Sequence, residues 1–298
     1  MSNKNFSLDR RQFLRGASFL AATPFLAALA SCGNSASTAS SASNTSAASS
    51  TGDFEFAGPF IVGFDQDFPP YGYVGDDGSY TGFDLELAQE VCKVMQWEYK
   101  PEPIAWDSKD ALLNSGQITC IWNGFTIEGR ENDYTFTDAY MENRQVIVVS
   151  AKSNIAKLAD LKGKNVVTQT DSAALGLLSD GGSQAELGKT FAKLDTIGEY
   201  NTAFMMLSTG EYDAVAVDYP VAVFNIGDKK DYVILEEPLN SEHFGVGFAK
   251  TDEGKVLAEL VQATLQGLDS DGFVKTLCEK YASQGVSYDA WVLPKATA

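Results

Sequence analysis

The feature that most restricts how this 298-residue chain can fold is an alternation that runs twice along it. Short apolar runs exchange with helical patterns. PFIVGF (59–64) predicts a strand, and FDLELAQEVCKVM (83–95) a helix with Leu87, Ala88, Val91, Cys92 and Met95 on one face and Asp84 capping its start. WEYKP (97–101) predicts a second strand, DSKDALLNSG (107–116) a short helix capped by Asp107 and closed by Gly116, and ITCIW (118–122) a buried strand. The order βαβαβ implies parallel strands joined by helical crossovers. The pattern then restarts. RQVIVVSA (144–151), NVVTQ (165–169), DAVAV (213–217), YVILE (232–236) and FGVGFAK (244–250) read as strands, helices fall at 172–179 and 200–210, and 253–268 and 270–282 close the chain. Two βαβ series joined by extended runs near 140–146 and 240–246 predict an α/β protein of two lobes, with those runs as hinges. The boundaries this gives are 54–143 with 243–298 for lobe one and 144–242 for lobe two.

The first 53 residues stand outside that pattern. DRRQFLRG (9–16) carries Arg10 and Arg11 ahead of an apolar run from Phe19 to Ala30, too short for the ~20 residues a bilayer span needs. It reads as a twin-arginine export signal over 1–31. LASC (29–32) resembles the lipobox of bacterial lipoproteins, which implies cleavage before Cys32 and lipidation of its thiol. The Ser/Ala/Thr-rich stretch 32–53 has no periodicity and reads as a flexible tether. A lipid-anchored protein at the outer face of the cell membrane is expected.

Removal of 1–31 leaves 18 Lys and Arg against 39 Asp and Glu, a formal charge of −21. Such a surface repels phosphate backbones, so nucleic acid is excluded as a partner. Besides Cys32 there are only Cys92, Cys120 and Cys278, each within an apolar run, and one histidine, His243. Buried free thiols are the expectation, with Cys92 and Cys120 the preferred pair if a disulfide forms. No metal cage and no cofactor are expected. His243 reads as structural.

In open α/β sheets ligands gather outside the carboxyl ends of strands. Four such ends here carry groups suited to a small zwitterion. DQDFPPYGY (65–73) brings Phe68 and Tyr71, and WNGFTIEGR (122–130) brings Trp122, Gly124, Thr126 and Arg130. TDSAAL (170–175) places Thr170, Asp171 and Ser172 at a helix start, and Asp218 follows DAVAV. Each has an ordinary alternative reading. Arg130 could pair locally with Glu128, Glu131 or Asp133, Asp218 could cap a helix, and Phe68, Tyr71 and Trp122 could be core aromatics. Only their convergence points to binding.

These residues carry a resemblance. The runs IVGFDQDFPPYGY, GFTIEGR leading to YTFTDAY, LADLKGKNVVTQTDS and DAVAVDYPVA resemble the extracytoplasmic amino-acid-binding proteins of ABC importers, over residues 58 to 285. The resemblance implies a two-lobe periplasmic-binding-protein-like fold with a hinged cleft, and delivery of a free amino acid to a membrane permease; the aromatic residues and Asp171 favour a polar or cationic side chain, and a monomer is expected. The resemblance further implies that Arg130 grips the ligand α-carboxylate together with Ser172, and that Asp218 pairs the α-ammonium with help from Thr126 and the Gly124 carbonyl. Phe68, with Tyr71 or Trp122, would wall the side chain. The spacing from Thr126 to Arg130 is one residue shorter than in many members, and Thr170 stands where a glycine is usual. Asp171 beside it would repel a ligand anion or select a cationic side chain. The rival reading is an enzyme on the same fold, a dehydratase or lyase acting on an amino-acid-like substrate.

Overall fold

The computed structural model describes residue 54 and residues 56–293; the signal segment, Cys32 and the rest of the tether lie outside them. In chain order the first strands are β1 (Pro59–Phe64), β2 (Asp67–Phe68), β3 (Gly72–Val74), β4 (Tyr80–Thr81), β5 (Glu98–Pro103), β6 (Cys120–Ile121), β7 (Thr135–Phe136) and β8 (Met141–Asn143). They are followed by β9 (Gln145–Ser150), β10 (Asn165–Gln169), β11 (Lys193–Ile197), β12 (Ala214–Asp218), β13 (Tyr232–Ile234), β14 (Glu242–Phe244) and β15 (Gly247–Phe248). The helices are α1 (Phe83–Met95), α2 (Lys109–Asn114), α3 (Ala173–Leu178), α4 (Ala185–Gly188), α5 (Tyr200–Thr209), α6 (Tyr219–Ile226), α7 (Asp252–Ser270) and α8 (Phe273–Tyr281).

Two five-stranded sheets hold these elements, ordered β5-β1-β6-β15-β7 and β11-β10-β12-β9-β13. In the first, β1 runs parallel to β5 and β6; in the second, β10 runs parallel to β11 and β12. Parallel strands covered on both faces read as continuous apolar runs, which is why PFIVGF and NVVTQ are legible as strands. The chain passes from one sheet to the other at β8 and returns at β14, and these two pair antiparallel with Glu242 opposite Asn143. Each sheet buries its own cluster. Trp106, Leu113, Ile118, Ile121, Phe125 and Tyr134 pack on the first, while Ile147, Val149, Leu161, Val166, Ala214 and Ala216 are among those on the second. Burial of side chains of this kind stabilises by roughly 1.5–3 kcal/mol each, so either sheet supports itself.

Several local expectations change. Asp84 does not cap α1. Gly82 holds the cap position at φ +136°, where an added Cβ would lie 2.2 Å from the Tyr71 carbonyl oxygen, and Asp84 turns inward. Asp107 caps nothing either. A 3-10 turn, Trp106–Ser108, precedes α2 and already supplies the Ser108 N–H with the Ala105 carbonyl at 2.9 Å. The 244–250 run is two strands rather than one, because the Gly245 N–H leaves the ladder for the Phe125 carbonyl and the Val246 N–H for Thr137 Oγ1. Edge strand β11 and the small sheet β2-β3-β4 carry too many polar residues for the pattern to reveal. Cys92, Cys120 and Cys278 are buried free thiols. Among the described residues no helix is long and apolar enough to cross a membrane, and no group of side chains could hold a metal ion.

Candidate functional site

Arg130 sits in the loop after β6 with its guanidinium 4.9 Å from the centre of the Phe125 ring. It does not pair with its acidic sequence neighbours. Glu128 bonds His243 instead (Oε1 to Nδ1, 2.7 Å), and Glu131 and Asp133 are exposed. The guanidinium donates from Nη1 to the Thr126 carbonyl at 3.2 Å and from Nη2 to the Asp171 carbonyl at 3.1 Å. A fork of five N–H groups that engages two main-chain carbonyls keeps donors free for an anion.

Asp171 belongs to the turn between β10 and α3, so this contact joins the two sheets. Its backbone is left-handed (φ +62°), a conformation that aspartate tolerates better than bulky residues do. Its carboxylate meets Lys109 Nζ at 2.6 Å, and its carbonyl also accepts from Trp106 Nε1 at 3.3 Å. Lys109 is only 3 % exposed and lies 5.4 Å from the Trp106 ring centre. The ammonium offsets the charge expected to repel or select a ligand at 171. Ser172 caps α3 as its sequence position suggests, its Oγ accepting from the Leu175 N–H at 3.1 Å and lying 3.1 Å from Thr168 Oγ1. Arg130, Lys109, Asp171 and Ser172 line one cavity of about 380 Å³, a size that suits a single small ligand. Thr170 bonds the Ile197 carbonyl through its N–H at 2.9 Å and faces a second cavity of about 410 Å³, with Trp106 and Asp65.

The aromatic candidates lie together. Phe68 packs 6.1 Å from Tyr71 and 6.0 Å from Tyr200, ring centre to ring centre, and Tyr71 packs 5.2 Å from Phe244. Gly124 is left-handed (φ +56°), and a Cβ there would come within 3.0 Å of Phe68 Cε1. Its N–H donates to Asp84 Oδ2 at 2.6 Å, and Tyr140 Oη donates to both Asp84 oxygens at 2.9 and 2.8 Å. Burial pushes the Asp84 carboxyl up to about 7, against those lowering bonds. Trp122 is fully buried, with Nε1 beside Asp84 and Tyr140 but in no hydrogen bond of ordinary geometry.

Asp218 ends β12, 4 % exposed. It occupies the N-cap position of α6 without capping it. Its Oδ1 accepts instead from Asn143 Nδ2 and Gln145 Nε2, both at 2.7 Å. The same two amides donate to Glu242 Oε1 at 2.8 Å, and Thr126 Oγ1 donates to that oxygen at 3.0 Å. Burial first, and the neighbouring Glu242 charge second, hold the Asp218 carboxyl well above the usual carboxylate range. A continuous set of contacts therefore runs from Arg130 through Thr126 and Glu242 to Asp218. Further bonds join the sheets on another side: Gln169 Nε2 to Asp65 Oδ2 at 2.5 Å, and Asn201 Nδ2 to Asp67 Oδ1.

Sequence reasoning did not single out Lys109, Gln145 or Glu242 as site residues. Lys109 lies within the run read as a short helix, and Gln145 and Glu242 lie in runs read as connectors. A polar residue placed where β9 begins and an acid within an extended connector were the available signals.

The profile of the bacterial extracellular solute-binding proteins, family 3, matches residues 60–284. The L-cystine-binding protein TcyJ of Escherichia coli (strain K12) is 28% identical over 234 residues, covering 77% of this chain and 85% of its own. Among solved structures, an ABC uptake transporter substrate-binding protein from Streptococcus pneumoniae with bound histidine superposes with a TM-score of 0.72 at 29% identity, covering 77% of this chain and 94% of its own. The ancestral amino acid-binding protein AncCDT-1, a precursor of cyclohexadienyl dehydratase, gives 0.67 at 27% identity, covering 75% and 95%.

Proposed function

Because this chain belongs to the bacterial extracellular solute-binding proteins, family 3, we propose that it captures a free amino acid, polar or cationic, between its two sheets and delivers it to the membrane permease of an ABC importer. The observation that carries this reading is the continuous set of contacts from the Arg130 guanidinium to the buried Asp218 carboxylate. An arginine fork at one end and an uncompensated carboxylate at the other suit the two charges of a zwitterion. Arg130 takes the α-carboxylate, joined by the Ser172 hydroxyl and N–H. Asp218 takes the α-ammonium, with Thr126 and the Gly124 carbonyl beside it. Phe68 walls the side chain, Tyr71 and Trp122 stand behind it, and Thr170 flanks the entrance.

Lobe one, 54–143 with 243–298, and lobe two, 144–242, close over the ligand about the β8 and β14 connectors. A ligand drives closure only by contacting both halves, as one bound to Arg130 and Asp218 does. The contacts already present between the sheets keep the remaining motion small. The mature protein acts as a monomer tethered through lipidated Cys32 at the outer face of the membrane. The cystine- and histidine-binding relatives are transport proteins, and no residue here is given a catalytic role.

A thermal-shift screen of the amino acids identifies the ligand, and calorimetry then gives its affinity. Arg130→Ala abolishes binding while the melting curve stays cooperative; unchanged affinity would remove Arg130 from the site. Mass spectrometry recovers the ligand unaltered, and a converted product would favour the dehydratase-like alternative.

A further inference from the structure

Asp218 and Glu242 place two carboxylates at the end of the cleft, 4 % and 1 % exposed. Among the described residues neither has an ion pair. Both Glu242 oxygens are hydrogen-bonded, Oε1 from Thr126, Asn143 and Gln145 and Oε2 from Asn240 Nδ2 at 3.0 Å. That arrangement leaves neither Glu242 oxygen open to a further partner. Asp218 receives the second N–H of each of the two shared amides, and its own backbone N–H. Around the pair the acceptors outnumber the donors, since the carbonyl oxygens of Asn143 and Gln145 are buried without a hydrogen-bond partner. Buried acceptors in that number, with no cation among them, await something that brings protons: a proton on Asp218, or a cationic nitrogen.

We infer that Glu242 makes this end of the cleft a proton-exchanging amine receptor, in which Asp218 carries a proton while the cleft is empty and releases it to solvent when a ligand ammonium takes its place. The inference rests on the assignment of the ammonium to Asp218. The balance is one for one: the ligand keeps its ammonium proton, the Asp218 O–H bond breaks, and the proton leaves as hydronium or on buffer. Neutral or anionic groups gain nothing from the exchange, so the pair favours amines over isosteric alcohols. Glu242 acts through Asp218 and is a positioning residue.

The other charged or titratable groups around the pair come from several elements. Tyr71 and Tyr200 face it, and burial comes first in holding both phenols up, with the Asp218 charge among the further causes. On β8 and β14 lie Glu142, His243, which Glu128 holds, and Arg144 in the link to β9, 4.0 Å from the centre of the Tyr219 ring. Asp84 is linked to the pair through Tyr71. A third cavity of about 440 Å³, on the connector side, is lined by Asn143, Arg144, Glu242 and His243.

The test is calorimetry of the best-binding amino acid at successive pH values, in buffers of different ionisation enthalpy. Wild type releases close to one proton per ligand at a pH where Asp218 is protonated in the empty protein, and its affinity rises about tenfold per pH unit there. In Glu242→Gln the pH range of release and of the affinity rise moves to lower pH, since burial alone then holds the Asp218 proton; Glu242→Asp restores the wild-type range. An unshifted range in Glu242→Gln overturns the inference. The empty protein gives a readout that needs no amino acid. Well above pH 7, where Asp84 and Asp65 have released their protons, its infrared spectrum carries a protonated-carboxyl band that is lost in Asp218→Asn and persists only to lower pH in Glu242→Gln, and absence of that band from wild type also overturns the inference. Methylammonium chloride, with tetramethylammonium chloride as the ionic-strength control, probes the pair alone. It raises the melting temperature of wild type more than that of Glu242→Gln, whereas equal responses overturn the receptor. If no amino acid binds, the transport reading fails while the infrared and methylammonium results still decide the role of Glu242.

Discussion

At the scale of single residues the cleft is arranged by a few groups with no other structural use. Lys109 is the clearest, a nearly buried ammonium whose 2.6 Å bond to Asp171 leaves Arg130 without a competing carboxylate. If that is its role, Lys109→Met weakens amino-acid binding by about tenfold, since an unpaired Asp171 then competes for the guanidinium. The double variant with Asp171→Asn recovers most of the loss, which calorimetry of the two proteins checks. Gly124 carries a different constraint. A left-handed residue with its Cβ 3.0 Å from Phe68 has to move the aromatic wall, so Gly124→Ala costs about 1–2 kcal/mol in a urea titration. Arg130 and Asp218 were legible in the sequence because each follows a run that reads as a strand. Glu242 was not, because its partners Asn143 and Gln145 lie about a hundred residues away.

At the scale of elements, periodicity revealed the helices more faithfully than capping rules revealed how they begin. Asp84 and Asp107 have the chemistry of helix caps, yet one is drawn into the core by the Gly124 N–H and the Tyr140 hydroxyl and the other lies within a 3-10 turn. Thr251, by contrast, does cap α7, its Oγ1 accepting from the Gly254 N–H at 3.0 Å. Thr251→Ala therefore lowers stability by about 1 kcal/mol in chemical denaturation and leaves ligand affinity unchanged, because α7 packs away from the cleft against α1, α8, β7 and β15. The short helix α3 joins fold to function differently. Ser172 both caps it and lines the same cavity as Arg130, so under the proposed function a substitution there alters stability and affinity together.

At the scale of the whole molecule, buried acids give the protein a distinctive response to pH. Burial raises Asp84 to about 7 and Asp65 to about 6, from an ordinary 3.8. The folded state therefore holds protons that the unfolded state releases. Their contribution to stability is complete below about 4 and is lost as pH rises towards 6 and 7. The melting temperature falls over that interval, and Asp84→Asn removes the upper part of the fall; a slope unchanged by that variant contradicts the assignment. The chain's formal charge of −18 adds repulsion in the same direction as acids ionise.

The sequence by itself determined the alternation of strands and helices, the two sheet series and the strand ends at which Arg130, Ser172 and Asp218 stand, because hydrophobic period and strand termini are local properties. Only the tertiary structure decided what those residues meet. Lys109 reaching Asp171, Asp84 turning inward, and Glu242 sharing two amides with Asp218 join positions 40 to 99 residues apart. Contacts of that range depend on how two sheets pack, and nothing in a window of sequence encodes the charge that a side chain meets once water has been excluded.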